Sequence, residues 1–120
     1  MTIPKFRAWD EISKKMFPVM MIDFGQSYVM IEEINGLWCE RGFDEVELMQ
    51  STGLFDENGK EIFNGDIVLI YGEKISKVFY SQGSFCVDIL NGGTPLHGFS
   101  PKQLEVIGNI YENPELLGGK

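Results

Sequence analysis

The chain has 120 residues, of which 43% are hydrophobic and 12% aromatic, and it carries a formal net charge of −8. This composition predicts a folded protein with one domain or two small halves, and it excludes an intrinsically disordered chain. The negative charge disfavours a general affinity for nucleic acid, because an acidic surface repels phosphate backbones.

The sequence points to the cytoplasm. No apolar run approaches the ~20 residues that a membrane-spanning helix needs, and residues 1–15 lack the apolar core of a signal peptide. The two cysteines, Cys39 and Cys86, fit separate reduced thiols, with a disulfide between them as the less favoured alternative. We therefore expect a cytoplasmic protein without a membrane segment.

The N-terminal region begins with the pattern of a strand, a turn and a returning strand. Residues 5–9 alternate polar and apolar side chains, residues 10–15 are polar, and residues 16–22 resume an apolar run. Pro18 favours an edge position for the second strand, since proline cannot donate a ladder hydrogen bond.

A second hairpin follows. Residues 28–34 and 37–39 pair around Asn35-Gly36, a favoured two-residue hairpin turn. Residues 44–50 alternate apolar and polar side chains, which fits either a further strand or one short helical turn.

The second half of the chain gives clearer strand signals. Residues 91–95 are rich in glycine and predict a loop, and residues 114–117 fit one helical turn near the C-terminus. The predicted strands are 66–71, 74–80, 85–90 and 103–110. No segment sustains helical spacing over a dozen residues, so these short strands favour an all-β fold.

The predicted fold is all-β with short helical turns. Gly65-Asp66 before an apolar strand, and the short turn at residues 100–103, resemble features of SH3-like barrels. The predicted organisation is an N-terminal β-hairpin region (1–50), a linking hairpin (51–65), a small SH3-like barrel (66–113) and a C-terminal tail (114–120).

The linking hairpin contains Asp56-Glu57-Asn58-Gly59, which looks like the start of a calcium loop. An EF-hand loop that began at Asp56 would need an oxygen donor at the fifth position, glycine at the sixth and glutamate at the twelfth. The sequence has Lys60, Glu61 and Ile67 there. We therefore expect a hairpin turn at Asn58-Gly59, which would place Leu54 and Phe55 opposite Ile62 and Phe63.

No set of residues has the spacing of a known catalytic, metal or cofactor site. Cys39, Cys86 and the single histidine, His97, match no zinc spacing, and Cys86 lies in an apolar strand where a buried thiol is common. Neighbouring acids such as Glu32-Glu33 point to opposite faces of a strand and do not form a carboxylate pair. The sequence therefore predicts a protein that is not an enzyme and has no metal or cofactor.

Charge is unevenly distributed along the chain. Residues 1–15 hold four bases and two acids (+2), residues 23–66 two bases and eleven acids (−9), and residues 73–120 four bases and five acids (−1). The acidic segment either serves solubility or forms a face that imitates nucleic acid or contacts a basic partner protein. The candidate residues for that face are Glu32, Glu33, Asp44, Glu45 and Glu47.

An alternative function is binding of single-stranded nucleic acid near the N-terminus. Basic side chains beside an aromatic ring can hold a strand by pairing with phosphates and stacking on bases. The candidate residues are Lys5, Arg7, Trp9, Lys14 and Lys15. Four bases are few for this purpose and Trp9 also fits a core position, so nucleic acid is the less favoured partner.

Three ordered blocks of the sequence form a recognisable pattern. The opening block is KFRAWD (5–10), followed by Lys15-Met16, and the closing block is LEVIGNIYENP (104–114). The central block contains LMQSTGL (48–54), Asp56, NGKEIF (58–63) and GDIV (65–68). Together these blocks resemble the YopX family of bacteriophage and prophage proteins. The resemblance implies a small accessory protein in the cytoplasm of a host cell, with no catalytic residues to assign.

These observations together favour a non-enzymatic module that binds a host or phage protein. The hypothesis rests on the absence of an assembled catalytic set and on the acidic central segment. A homo-oligomer is also possible, because exposed strand edges in a small β protein invite pairing.

Overall fold

The computed structural model describes residues 3–33, 35–89 and 92–118. Across these residues it contains short antiparallel strands and short 3-10 helices, and the longest helix has four residues. The chain divides into two compact units, residues 1–50 and 51–120, with the division inside one strand. The all-β prediction is confirmed.

The first unit contains five strands of a six-stranded antiparallel sheet. Its strands are β1 (Phe6–Asp10), β2 (Lys15–Asp23), β3 (Tyr28–Glu32), β4 (Trp38–Gly42) and the first half of β5 (Val46–Phe55). They lie in the order β4-β3-β2-β1-β5, and the remaining strand of the sheet, β6 (Glu61–Phe63), pairs with the second half of β5. A 3-10 helix, Phe43–Glu45, precedes β5, so the predicted segment 44–50 contains both a helical turn and a strand. Ile34, predicted as the end of the third strand, lies outside the described residues.

Strand β2 has two partners along its length. Residues 15–18 pair with β1, and residues 19–23 pair with β3. The register of the pair with β3 shifts between Val19 and Met21. The strand therefore lies inside the sheet, and the prediction that Pro18 marks an edge strand is wrong. Pro18 is tolerated because pairing with β3 begins only at Val19.

The core of the first unit fixes which side chains of β3 and β4 point inward. It consists of Ala8, Phe17, Val29, Ile31 and Val46, with Val19, Ile22, Cys39, Phe43 and Leu48 packed around them. Because side chains alternate along a strand, Val29 and Ile31 point inward while Tyr28, Met30 and Glu32 point to the opposite face.

A buried ion pair connects β4 to the end of β1. Asp10 is fully buried, and its two carboxylate oxygens accept hydrogen bonds from Arg41 Nε (2.9 Å) and Nη2 (3.2 Å). Ser13 Oγ donates a further bond to Asp10 at 2.7 Å. Burial raises the pKa of Asp10, but the hydrogen bonds from Arg41, Ser13 and Ile12 outweigh burial, and the pKa lies below its usual 3.8.

The second unit continues from β5 into two three-stranded antiparallel sheets. Its strands are β6 (Glu61–Phe63), β7 (Asp66–Ile70), β8 (Lys74–Lys77), β9 (Phe79–Ser81), β10 (Ser84–Asp88), β11 (Gly93–Pro95) and β12 (Leu104–Asn109). The sheets have the orders β12-β7-β8 and β11-β10-β9, and β6 pairs with β5. The 3-10 helices are Leu96–Gly98, Pro101–Gln103 and Pro114–Leu117.

The core of the second unit contains side chains from both three-stranded sheets. Its buried residues are Ile62, Val68, Ile70, Val78, Val87, Leu96 and Leu104. Leu54 and Phe85 are among the partly buried residues packed against them.

The predicted barrel is not closed. The strand expected over 74–80 is divided at Val78, whose N–H donates to the Asp66 carbonyl (2.8 Å) and whose carbonyl accepts the Gly65 N–H (2.9 Å). Strand β8 therefore pairs with β7, while β9 pairs with β10. Within the described part of the chain, neither sheet closes on itself.

The prediction of a loop over residues 91–95 is also partly wrong. Residues 93–95 form β11, with Thr94 opposite Val87 in β10. Two positions of these predictions, Leu90 and Asn91, lie outside the described residues.

The turn at Asn58-Gly59 is confirmed, but the pairing around it is shifted. The Gly59 N–H donates to the Asp56 carbonyl at 3.0 Å, and Gly59 has φ +77°. Phe55 lies opposite Glu61, not opposite Ile62 or Phe63 as predicted, because the turn closes between Asp56 and Lys60, where the Asp56 N–H donates to the Lys60 carbonyl at 2.9 Å.

Gly59→Val is expected to lower the free energy of unfolding by about 1–2 kcal/mol, because a β-branched residue is strained at positive φ. Urea unfolding measures this change. Gly98→Ala is the matched control, since Gly98 has no positive φ and open space around its Cβ position. Equal stability of the Gly59→Val variant and the native protein would contradict the turn geometry.

Arg41→Met is expected to destabilise the protein by about 3 kcal/mol, because it leaves the Asp10 carboxylate buried without its cation. Adding Asp10→Asn should restore part of the loss, since the amide is neutral. Denaturant unfolding of the two single variants and the double variant gives the coupling. Strictly additive losses would show that the ion pair does not stabilise the fold in this way.

Candidate functional site

The first unit presents one face of β2, β3 and β4 that points away from its core. We call this the outer face, and it consists of Met21, Asp23, Tyr28, Met30, Glu32, Trp38 and Glu40. Strand pairing places these side chains in three rows across the sheet. The rows are Asp23–Tyr28, Met21–Met30–Glu40 and Glu32–Trp38.

The outer face exposes large apolar side chains. Trp38 is 52% exposed and Met21 39% exposed, and Met30 lies between their strands. Met20, at the register shift of β2, and Phe24, in the turn after it, are also exposed, but the Phe24 ring packs edge-on against Phe43 (ring centroids 6.0 Å apart), which contacts the core. Exposed apolar side chains grouped on one face are typical of sites for other molecules, and methionine adapts its shape to them.

The charge of the outer face has one sign. Its described residues include three acids, Asp23, Glu32 and Glu40, and no base. Arg41 is the only basic residue between Lys15 and Lys60, and its side chain points inward to Asp10. The residues of the outer face therefore combine apolar groups with negative charge and include no base.

The five acids predicted to form one face are divided in the structure. Glu32 belongs to the outer face, and Glu33 follows it in the turn before β4. Asp44 and Glu45 lie in the 3-10 helix that follows Gly42, at the other end of the β3–β4 pair. Glu45 is also engaged, because its Oε1 accepts the Gly42 N–H at 2.9 Å.

Glu47, the fifth of these acids, lies on β5 opposite Trp9 of β1. It is exposed, but its strand is separated from β3 by β1 and β2 in the sheet. The predicted acidic residues thus do not form a single continuous face.

Trp9, the aromatic residue predicted to act together with the N-terminal bases, is buried. Trp9 is only 8% exposed, and it lies on a strand with Arg7, which is half-buried. Lys14 forms an ion pair with Glu11 at 2.9 Å, while Lys5 and Lys15 are exposed. Since stacking on bases requires an open ring, the nucleic-acid hypothesis remains a prediction without structural support.

The residues considered for catalysis lie in different environments. Both cysteines are free, with Cys39 half-buried in the first unit and Cys86 buried in the second. His97 is exposed in a 3-10 helix of the second unit. Over residues 3–33, 35–89 and 92–118, the structure contains no cluster of three His, Cys, Asp or Glu side chains suited to a metal ion. No helix in that same part of the chain is long and apolar enough to cross a membrane.

Asp56 forms the turn that the sequence suggested as a calcium loop. It is 3% exposed, and its Oδ1 accepts the N–H groups of Asn58 (2.9 Å) and Lys60 (2.8 Å). Its Oδ2 accepts the Val106 N–H at 2.8 Å, which ties the turn to β12. Both oxygens therefore bind backbone donors of the fold.

The pKa of Asp56 reflects these bonds. Burial alone would raise it, but hydrogen bonds from the N–H groups of Val106, Lys60 and Asn58 outweigh burial. The pKa accordingly lies below its usual 3.8.

A groove of about 490 Å³ lies in the second unit beside β8, β10 and the last 3-10 helix. It is lined by Ile75, Ser76, Lys77, Phe79, Asp88 and Leu117. Ser76 is buried there, but its hydroxyl donates to the Lys77 carbonyl (2.9 Å) and accepts the Asp88 N–H (2.8 Å). The Ser76 hydroxyl is therefore used in hydrogen bonds within the fold.

Most residues of the outer face were not predicted as functional. The signal was present, because Tyr28, Met30 and Glu32 alternate with Val29 and Ile31 within a predicted strand. Both sets contain large apolar side chains, so alternation alone does not show which set is buried. Strand pairing was needed to place Met21, Trp38 and Glu40 beside them.

The comparisons with known proteins give the family. A family model described as YopX protein matches residues 5–118. Protein EF1440 from Enterococcus faecalis has a similar crystal structure, with 33% sequence identity and a TM-score of 0.70 over 98% of this chain and 99% of that chain. Protein yopX from Bacillus subtilis has the same fold, with 21% identity and a TM-score of 0.68 over 97% of each chain. No functionally curated protein matches the sequence.

The chain belongs to the YopX family. The family resemblance predicted from its three sequence blocks is therefore confirmed, and the blocks coincide with structural turns. Asp10 ends the first block, Asp56 lies in the central region, and Asn109 in the last block accepts the N–H groups of Tyr111 and Glu112. Gly108 is needed there, since a Cβ would lie 2.6 Å from Asn113 Oδ1.

Asp56→Ala is expected to lower the free energy of unfolding at pH 7 by about 2–4 kcal/mol, because it leaves three backbone N–H groups without their acceptor. The lowered pKa of Asp56 means that its stabilisation is present above the unfolded pKa of about 4 and is lost as pH falls through the folded value. The difference between the variant and the native protein should therefore shrink below pH 4 in urea unfolding.

Calcium titration of the same two proteins is the second measurement. Neither protein is expected to show a calcium-dependent change in stability. Tight calcium binding that disappears in Asp56→Ala would contradict the assignment of Asp56 to the turn.

Proposed function

We propose that this protein is a non-enzymatic protein-binding module of a bacteriophage or prophage, acting in the cytoplasm of the host cell. Its partner is a host or phage protein, and its binding surface is the outer face. The proposal deepens the family assignment, which by itself supplies no activity.

The observation that carries the proposal is the combination of exposed apolar side chains and acids, without a base among them, on the outer face. Trp38 and Met21 give apolar area that is released from water when a partner covers it. Glu32 and Glu40 add charge that can steer a basic protein surface toward the face. A surface serving solubility alone would not need the exposed tryptophan.

The absence of an enzymatic role is supported by how the buried polar groups are used. Asp10, Asp56 and Ser76 all bind backbone or side-chain partners within the fold. A catalytic group would instead be directed into a pocket where it could reach a substrate. The Ser76 hydroxyl in the groove is held within the fold by the Lys77 carbonyl and the Asp88 N–H.

Capture from bacterial lysates tests this proposal. The immobilised native protein and the Glu73→Lys variant should retain the same proteins from Enterococcus faecalis or Bacillus subtilis lysate at about 50 mM salt. Trp38→Ala and Glu40→Lys should lose most of the retained protein, because they remove the apolar contact or reverse a charge on the outer face. Glu73→Lys is the matched control because it makes the same charge change as Glu40→Lys. Glu73 is exposed, but it lies in the second unit and not on the outer face.

Two results would count against the proposal. One is retention no greater than on blank beads, and the other is equal retention by all four proteins. Light scattering of the native protein measures self-association in the same buffer.

A further inference from the structure

We propose that the outer face binds a cationic amphipathic helix of the partner protein. This inference rests on the proposed function, and it adds the shape and charge of the segment that is recognised. It follows from the width of the face, the position of its apolar groups, the sign of its charge and a side-chain hydrogen bond to the backbone of its edge strand.

The width of the outer face matches one helix. Neighbouring strands lie about 4.8 Å apart, so side chains on β2, β3 and β4 cover a band about 10 Å wide. An α-helix with its side chains has a diameter of about 10–12 Å. A single helix can therefore contact all three strands.

The apolar groups form a diagonal band across these strands. Met21 lies directly opposite Met30 in the β2–β3 pair. Trp38 lies opposite Glu32, which is two residues from Met30, so Trp38 and Met30 are diagonal neighbours. A helix that presents apolar residues at intervals of three and four positions has a stripe of matching form.

Acids lie on both sides of this band. Glu40 shares a row with the methionines, and Asp23 and Glu32 occupy the rows on either side. Lysine or arginine side chains that flank the apolar stripe of a helix can reach these carboxylates. Phosphate-rich partners, including nucleic acid and anionic lipid surfaces, are repelled by the same charges.

The edge of β4 favours binding on the face over addition of a strand. The Glu40 carbonyl, in the middle of this edge strand, already accepts a hydrogen bond from Arg41 Nη1 at 3.0 Å. A backbone carbonyl that already accepts a side-chain hydrogen bond is less available to an added strand, so pairing at this edge is weakened.

A second copy of the chain is a poor partner for the outer face. A two-fold symmetric contact through this face would place the same acidic surface on both sides of the interface. Like charges brought together in this way oppose association, whereas a basic helix would neutralise them.

Binding of a synthetic peptide tests the inference. The probe is a 16-residue helix with leucines along one stripe and lysines on both flanks, and its control has glutamate at every lysine position. The lysine peptide should bind the native protein at about 50 mM salt and weaken steeply at about 500 mM. Trp38 emission should shift to shorter wavelength on binding, because its exposed ring becomes covered, while Trp9 is already buried.

Matched variants locate the binding site. Glu40→Lys and Glu32→Lys should each weaken binding of the lysine peptide by about tenfold, whereas Glu73→Lys should change it by less than about twofold. Circular dichroism shows whether each variant is folded. If one of the two variants on the outer face does not fold, the other still tests the inference. No binding of the lysine peptide, equal weakening by Glu73→Lys, or an unchanged Trp38 emission would overturn the inference.

The outcome is distinguishable from a failure of the proposed function. If the lysate capture depends on Trp38 and Glu40 while the lysine peptide does not bind, the outer face is a protein-binding site for a different kind of segment. If neither the lysate proteins nor the peptide depends on these residues, both proposals fail.

Discussion

The ion pair between Asp10 and Arg41 determines how the first unit presents its surface. Arg41 is the only base between Lys15 and Lys60, and the buried carboxylate of Asp10 draws its guanidinium inward. The ion pair connects β4 to the end of β1 on the core side of the sheet and leaves Trp38 and Glu40 on the opposite face. The acidity of the outer face is therefore a consequence of folding as well as of composition, since the one base in this part of the sequence points inward to Asp10.

The family motifs mainly specify turns and strand pairing. The residues in those blocks that make the most specific contacts are turn and pairing residues, including Asp10, Asp56 and Asn109. Each satisfies backbone donors or a charge that would otherwise be buried without a partner, which is costly in a protein interior. The blocks therefore identify the fold reliably, while the outer face lies mostly between them and is not described by them.

The sequence predicted the strands and turns well because these depend on local chemistry. Gly36 and Gly59 have the positive φ expected of the glycine in an Asn-Gly turn, and the alternation over 28–32 corresponds to a strand. The errors arose from long-range pairing. Pro18 is accommodated inside the sheet because the partner of β2 changes at Val19, and Val78 divides a predicted strand through bonds to Gly65 and Asp66.

The candidate site depended on the same long-range information. Only strand pairing brings Met21, Met30 and Trp38, from three separate strands, to one surface. The most direct test of this account is an NMR titration of the ¹⁵N-labelled native protein with the lysine peptide. The account predicts that the largest amide and indole shift changes occur at the outer face, including Met30, Trp38 and Glu40. Shift changes centred on the second unit, or spread evenly over all exposed acids, would contradict it.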